Sequence, residues 1–370
     1  MDKLKVGIIG TGLAFERLHY PAYQELSDKY EIVALCDPEP ENTRPWAERL
    51  GLGVNNIYTD YRPMLWRGDI NVFDIMVPIE NNFRVTEDVA RAVAHQHGRA
   101  IICEKPLAAN YEQAKAHAEL PRRYGVPIMI AENYRYSEEI NIIRDMVREK
   151  RIGEPVYFIN NRVICFPEEM LKNDFARTEW RQHPVFAGGV IMDSGVHDVA
   201  AMRHIFGAID KLQAFGVPQH DDFAPYAVLN VNLRFHSGVT GQFSFYSAGK
   251  EMQRPLVGLR IFGTSGMIYL EESDCGTINV SYNDGRSEQV RYRPQRGYYN
   301  ELLNLYNALT GREIISVTPE MEYGDVKTIL DMLRSAKNGS IVEVDSTSSY
   351  IPAYRPNYQP QFEYHPVTWH

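Results

Sequence analysis

The sequence predicts two α/β domains: a doubly wound parallel sheet, then an α+β domain on a large, mostly antiparallel sheet. In the first third of the chain, short apolar runs alternate with helix-like segments, which is typical of a parallel sheet covered on both faces. Beyond residue 150, strand-like runs follow one another with turn signals such as 236–238 and 283–285 between them, which indicates hairpins. The 370 residues suffice for two domains at roughly 100–200 residues each.

Each element is predicted from its pattern and from the residues that end it. Residues 5–9 form an apolar run ended by Gly10, and the run 72–77 is closed by Pro78. In the first domain we expect strands at 5–9, 32–36, 72–77, 100–103 and 128–131, and helices at 14–26, 86–97 and 111–124. In the second we expect strands at 154–164, 211–216, 227–235, 239–246, 256–262, 267–270, 277–282 and 288–292, and helices at 190–206, 298–310 and 319–336. The predicted domains are 1–130 and 131–345, followed by a Tyr/Pro-rich arm at 346–370.

Composition argues against several classes of function. The formal net charge is −9, whereas nucleic-acid-binding proteins usually carry a basic field. None of the four cysteines forms a Cys-x-x-Cys pair, so we expect reduced thiols and no structural zinc. No apolar run is long enough to span a membrane. We therefore expect a cytoplasmic protein that binds neither nucleic acid nor membrane.

A candidate nucleotide site follows the first strand. Gly10, Thr11 and Gly12 open a helix there, and such glycines allow a pyrophosphate to approach the helix N-terminus. Asp37 ends the second predicted strand, where a carboxylate binds ribose hydroxyls and repels a 2′-phosphate. This favours NAD over NADP, although use of both stays open, and Asp37 could instead only cap the turn. Phe15 stands where the fingerprint has its third glycine, so we expect a displaced helix or a changed phosphate loop.

Two further segments carry candidate catalytic groups. Lys105 follows a buried strand and precedes Pro106, so it should project from the strand's carboxyl end, where open α/β sheets bind ligands. Asp193 and His197 lie four residues apart on a predicted helix and can share one face for proton transfer. The alternatives are a solvated surface lysine and a structural Asp–His pair. A metal site of Asp193 and His197 with His183 or His204 is a weaker alternative, since nothing fixes a third ligand.

The residues before this helix are candidates for binding a substrate. Trp180 offers an apolar face to the C–H surface of a sugar ring, and Arg181 suits hydroxyls or a carboxylate. His183 lies close by. Core packing of Trp180 is an equally good interpretation.

Taken in order, the motifs resemble the glucose–fructose oxidoreductase, inositol dehydrogenase and rhizopine-catabolism (Gfo/Idh/MocA) family. They are the glycine turn at 10–12, Glu104-Lys105-Pro106, Asn133-Tyr134-Arg135, the segment 151–154, the Gly188-Gly189 helix with Asp193 and His197, and the turn 263–266. The resemblance covers nearly the whole chain except the last twenty-five residues. One departure follows Pro78, where many members carry a histidine and this chain reads Ile79-Glu80-Asn81-Asn82-Phe83.

The resemblance implies an N-terminal Rossmann domain, a nicotinamide cofactor and a homo-oligomer, a dimer or a tetramer. It implies that Lys105, Asp193 and His197 are catalytic, that Glu104 and Lys105 lie near the nicotinamide, and that Asn133 and Arg135 line the cleft. The predicted cofactor-binding set is Gly10, Thr11, Gly12, Leu13, Ala14, Asp37, Pro78, Glu104, Lys105 and Asn133. The predicted substrate-binding set is Arg135, Trp180, Arg181 and His197.

The expected activity is hydride transfer between NAD(H) and a hydroxyl or carbonyl of a sugar, sugar derivative or cyclitol. His197 is the expected acid/base with Asp193 orienting it, and Lys105 stabilises charge on the reacting oxygen. Two alternatives remain at this stage. One is an NAD-dependent glycosidase that oxidises its substrate transiently without net redox, and the other is a non-catalytic NAD-binding sensor.

Overall fold

The structure is a computed structural model that describes residues 3–344 apart from 251 and 254–256. The predicted arm 346–370 lies outside these residues, as does residue 256 of the predicted strand 256–262. The described chain divides into two compact units. The first comprises the residues up to Glu132 together with Tyr298–Tyr323, and the second comprises Asn133–Gly297 and the residues from Gly324 onward.

The first unit is built on a parallel sheet, as predicted. Its strands are β1 (Leu4–Ile9), β2 (Tyr30–Cys36), β3 (Ile57–Tyr58), β4 (Val72–Ile75), β5 (Ala100–Glu104) and β6 (Ile128–Ala131), in the spatial order 3-2-1-4-5-6. The order reverses between β1 and β4, which is the position where such sheets bind ligands. The helices along this part of the chain are α1 (Tyr20–Glu25), α2 (Pro40–Leu50), α3 (Tyr61–Met64), α4 (Ile79–Ala92), α5 (Tyr111–Ala118) and α6 (Leu120–Tyr124).

The second unit contains a larger sheet whose strand pairs are antiparallel except for one, so the predicted fold class is confirmed. Its strands are β7 (Pro155–Val163), β8 (Ile209–Pro218), β9 (Tyr226–Phe235), β10 (Thr240–Tyr246), β11 (Gly258–Gly263), β12 (Gly266–Leu270), β13 (Thr277–Tyr282), β14 (Ser287–Arg291) and β15 (Val342–Glu343), in the order 14-13-12-11-7-10-9-8-15. Strands β7 and β10 form the parallel pair. The helices here are α7 (Glu138–Arg148), α8 (Phe166–Lys172), α9 (Glu179–Gln182) and α10 (Val190–Phe206).

Two late helices complete the described elements, α11 (Gly297–Leu309) and α12 (Pro319–Asn338). Residues Tyr298–Tyr323 belong to the first unit, a return of the chain that the contiguous predicted domains do not contain. The Tyr30 hydroxyl at the start of β2 donates to the Leu302 carbonyl over 2.6 Å. This bond ties α11 to the sheet across 272 residues of sequence.

Several predicted helix bounds were wrong for local reasons. The predicted helix 86–97 begins at Ile79 because Pro78 stands before its first turn, and it ends at Ala92, shortly before His95 adopts a positive φ of 57°. The predicted helix 111–124 is two helices, the second of which has Pro121 in its first turn. In the described part of the chain, no helix combines the length and apolar character needed to cross a membrane.

Candidate functional site

The glycine turn has the backbone shape that its sequence predicts. Gly10 follows β1 with φ +97°, and a Cβ there would lie 2.2 Å from the Met76 carbonyl oxygen. Only glycine fits this close approach between β1 and the segment after β4. A Cβ on Gly12 would have no neighbour within 4 Å, and helical conformation begins at Leu13 and continues through Ala14. The turn therefore leaves open space in front of a helix N-terminus, which fits a pyrophosphate.

The side chain of Asp37 is hydrogen-bonded to this turn. Its Oδ2 accepts a hydrogen bond of 2.9 Å from the Thr11 backbone N–H and one of 3.3 Å from the Thr11 hydroxyl. Its Oδ1 accepts bonds of 3.0 Å from the Glu39 N–H and the Asn42 side-chain amide. The carboxylate is therefore fixed between the end of β2 and the glycine turn, where its charge disfavours a second anion.

Phe15 occupies the interior where the fingerprint has a glycine. Its buried ring packs edge-on against Trp46, with centroids 4.9 Å apart, and against Tyr20 at 5.7 Å. The segment Phe15–His19 is a π-helix that continues into α1. The helix after the glycine turn therefore has π-helical form at this position, a form often seen at functional sites.

Lys105 and its neighbours form the second part of the candidate site. Lys105 is half-buried, and its backbone N–H donates to Glu104 Oε2 over 3.0 Å. The Lys105–Pro106 peptide bond is cis. Asn82 is fully buried, and its side-chain amide donates to the carbonyls of Glu104 at 2.9 Å and Pro106 at 2.7 Å.

Sequence reasoning missed that Asn82 holds this turn, although it noted the departure after Pro78. Pro78 itself is half-buried and precedes the first residue of α4. Sequence reasoning also made no prediction for His19, a lone histidine within a helical pattern, whose ring bridges Asp74 and Glu104. No local signal identifies either residue, because their partners come from other elements of the fold.

In the second unit, His197 stacks on an aromatic ring. The half-buried His197 imidazole and the Tyr134 phenol have centroids 4.5 Å apart and planes within 18° of parallel. The Tyr134 hydroxyl accepts a hydrogen bond of 3.1 Å from Arg162, and Asn160 donates to Asp198 over 3.2 Å. The attraction of Tyr134 and Asp198 outweighs the effect of burial and raises the pKa of the Arg162 guanidinium. The phenol is therefore held by a permanent cation.

Asp193 lies on the same helix, α10, and is buried. Its Oδ2 accepts a bond of 2.8 Å from Arg181 Nε. The Arg181 guanidinium lies over the ring of Trp180, 3.9 Å from its centroid. The structure therefore joins the predicted residues Trp180, Arg181 and Asp193 into one polar and aromatic cluster, although twelve residues separate the two charged partners.

Asn133 and Arg135 lie in the short helix Asn133–Tyr136. Asn133 is half-buried. Arg135 is buried, and its guanidinium pairs with Asp325 over 2.6 Å. This placement gives Arg135 a structural partner and does not support its predicted contact with a substrate.

The alternative of a metal site gains no support from the placement of its histidines. His183 lies 3.2 Å from Asp222 at the surface, and buried His204 lies 2.6 Å from Arg144. Among the residues that the structure describes, no group of three or more His, Cys, Asp or Glu side chains is arranged to hold a metal ion.

Two family models match the chain. The model of an oxidoreductase family with an NAD-binding Rossmann fold matches residues 4–132, and the model of the Gfo/Idh/MocA C-terminal domain matches residues 140–269. The first model spans the glycine turn and Asp37, and the dinucleotide that it names fits the open space at this turn.

Curated relatives and solved structures agree with these matches. D-apiose dehydrogenase of Paraburkholderia graminis is 28% identical, over 73% of this chain and 68% of its own length. The 1,5-anhydro-D-fructose reductase of Ensifer adhaerens is 25% identical, over 85% of this chain and 92% of its own. The crystal structure of an oxidoreductase from Thermotoga maritima superposes with a TM-score of 0.81 at 26% identity, covering 94% of this chain and 100% of that one. With both family models matched in order, the chain belongs to the Gfo/Idh/MocA family of NAD-binding oxidoreductases.

Proposed function

We propose that the protein transfers hydride between NAD(H) and a hydroxyl or carbonyl carbon of a sugar, a sugar derivative or a cyclitol. The observation that carries the proposal is that an NAD-binding family member presents a half-buried Lys105 on a turn anchored by Glu104 and Asn82. The two relatives named above act on sugars, which supports that substrate class.

Lys105 is the proposed partner of the reacting oxygen. During oxidation the hydroxyl proton leaves to the base, and the oxygen carries negative charge until its carbon has given up the hydride, which a bound nicotinamide would accept. An ammonium group donates a hydrogen bond to such an oxygen more strongly than to the neutral hydroxyl. Lys105 thereby stabilises the transition state more than the ground state.

His197 is the proposed general acid and base. It accepts the hydroxyl proton during oxidation and returns it during reduction, so that the alcohol becomes a carbonyl with release of one proton and transfer of one hydride. Stacking on Tyr134 restricts rotation of the imidazole. We propose that Asp193, one helical turn before His197, orients it, while the bond to Arg181 fixes the carboxylate.

For substrate binding we propose Trp180 and Arg181 together with His197. The Arg181 guanidinium over the Trp180 indole forms a surface with a polar and an aromatic part side by side. Such a surface suits a sugar ring that bears hydroxyls. Asp37 is proposed to favour NAD over NADP, because it holds a negative charge beside the glycine turn.

A substrate panel tests the activity. Purified protein is mixed with aldoses, ketoses, anhydro sugars and cyclitols, each with NAD and with NADP, and the absorbance of reduced nicotinamide is followed. We expect NAD reduction with at least one sugar or cyclitol, in step with formation of its carbonyl product. Glycoside cleavage without accumulation of NADH would contradict this function in favour of transient oxidation. No turnover with any compound, while NAD still binds, would instead favour a sensor.

We also propose that the protein is a cytoplasmic homo-oligomer. Large apolar side chains are exposed on strands of the second unit, among them Val156, Tyr157, Phe215 and Val217. Such residues are expected where another subunit covers a sheet. Sedimentation that gives only monomer at micromolar concentration would contradict the oligomer.

A further inference from the structure

A fully buried histidine joins the nucleotide-binding helix to two strands of the first unit. His19 is the last residue of the π-helix. Its Nδ1 lies 2.9 Å from Asp74 Oδ2 on β4, and its Nε2 lies 3.0 Å from Glu104 Oε1 at the end of β5. The Tyr23 hydroxyl donates to the same Asp74 oxygen over 2.9 Å. One imidazole therefore bridges two carboxylates in the interior.

This arrangement requires a charged imidazole. Ionised carboxylates only accept hydrogen bonds, and both ring nitrogens donate only in the imidazolium form. Burial alone would lower the pKa of His19, but Asp74 and Glu104 reverse this and hold it well above its usual value. The carboxyl of Glu301 also faces the group, and burial together with repulsion from Glu104, Asp74 and Glu132 raises its pKa well above normal.

The bridge continues to the turn that carries Lys105. Glu104 uses Oε1 for His19 and Oε2 for the Lys105 backbone N–H. The Glu104 carboxylate thus connects the imidazolium directly to the backbone of Lys105. Asn82 holds the carbonyls on either side of Lys105, so the turn is fixed by two buried side chains.

An arrangement of this kind is costly for a core. Removing two carboxylates and an imidazolium from water carries a large free-energy penalty, and apolar side chains of similar volume commonly give equal or greater stability. Exceptions to the rules of core packing are expected where function requires them. Here the exception lies one peptide bond from the proposed partner of the reacting oxygen.

We propose that His19 is a positioning residue for the reaction: it holds the Glu104 carboxylate, which in turn fixes the backbone from which Lys105 projects. This inference rests on the proposed function of Lys105. It adds a residue that makes its contribution through Glu104 rather than through the substrate.

The test compares two neutral replacements of His19. In His19→Gln the side-chain amide can take the place of Nε2 and keep the bond to Glu104, whereas in His19→Asn it can take the place of Nδ1 and keep only the bond to Asp74. With the substrate that the panel identifies, we expect His19→Asn to lower kcat by about 10²-fold, because a displacement of the order of 1 Å costs that much. His19→Gln should retain clearly more of the wild-type kcat. NAD affinity, measured by fluorescence titration, should stay close to wild type in both.

Equal kcat values in the two variants would overturn the inference, because a role in packing alone does not distinguish which donor is kept. If the His19 variants do not fold, Asn82→Ala tests the same turn from its other side. It should lower kcat while the protein still binds NAD, and a wild-type kcat would contradict the proposal. Lys105→Ala distinguishes failure of the proposed function from failure of the positioning role. An unchanged kcat in Lys105→Ala refutes the proposed function. A lowered kcat in Lys105→Ala together with a wild-type kcat in His19→Asn refutes only the positioning role.

Discussion

The imidazole of His197 stacks face to face on the phenol of Tyr134, with the ring centroids 4.5 Å apart. This relationship predicts how substitution of Tyr134 affects turnover. Tyr134→Phe keeps the stacked ring and loses the bond from Arg162, so kcat should fall little. Tyr134→Leu removes the stacked ring, which contributes about 0.5–1.5 kcal/mol, and kcat should fall by about 2- to 13-fold.

Steady-state kinetics at saturating NAD would measure both effects. Tyr111→Leu is the matched control, since Tyr111 pairs with Tyr323 in the first unit, outside the proposed catalytic residues. An equal loss of kcat in the Phe and Leu variants would show that stacking is not what positions His197.

Asp37 is expected to set the choice between NAD and NADP. Asp37→Ser removes the negative charge and the acceptor for Thr11, so NAD should bind more weakly and the ratio of NADP to NAD efficiency should rise by about 10-fold or more. The readout is kcat/KM for both cofactors. Glu48→Gln, an exposed charge removal on α2, should leave the ratio unchanged. An unchanged ratio in Asp37→Ser would contradict the assignment.

The Asp193–Arg181 pair is expected to have two separable effects. Asp193→Asn should lower kcat by roughly 10²-fold, if the carboxylate orients the catalytic imidazole. Arg181→Met should chiefly raise the substrate KM. A double-mutant cycle separates coupling of the pair from any further role of Asp193. Identical losses in both single variants and in the double variant would reduce Asp193 to a partner of Arg181.

Stability should depend on the ionisation of Glu139. Burial raises the pKa of this carboxyl on α7 to about 7, with a smaller contribution from Glu138. The folded state therefore binds the proton more tightly than the unfolded state, so stability is highest at low pH and is lost as pH rises from about 4.5 through 7. The loss corresponds to about 3 kcal/mol at alkaline pH.

Glu139→Gln should remove this dependence. Urea unfolding at pH 5 and pH 8 should show the variant gaining relative to wild type at pH 8 and little at pH 5. The difference between the two proteins isolates this group from other titrating residues. A constant difference across the pH range would contradict the shifted pKa.

The fold class could be read from the sequence because its signals are local. The runs 6–9 of β1 and 100–103 of β5 contain no charged residue and are followed by Gly10 and Glu104, so they indicate buried parallel strands. The membership of α11 in the first unit could not be predicted. Its apolar periodicity indicates a helix, but the bond from Tyr30 that ties it to the first sheet spans most of the chain.

The same limit applies to the candidate site. The glycine turn and Asp37 could be proposed from the sequence because a short motif and its spacing carry the chemistry. The contact between Asp193 and Arg181 was not predicted, since it depends on how the segment before α10 folds back. A motif alone also does not reveal a buried partner: Arg135, which was expected to line the cleft, is buried and pairs with Asp325.

The most direct measurement compares turnover with NAD affinity in Lys105→Ala and His197→Ala, with the exposed Lys115→Ala as a control. If these side chains act on the reacting hydroxyl, kcat should fall by roughly 10²–10⁴-fold in both variants. The dissociation constant of NAD should stay near the wild-type value, and the control should keep full activity. Turnover and NAD affinity that fall in equal proportion in either variant would contradict the account.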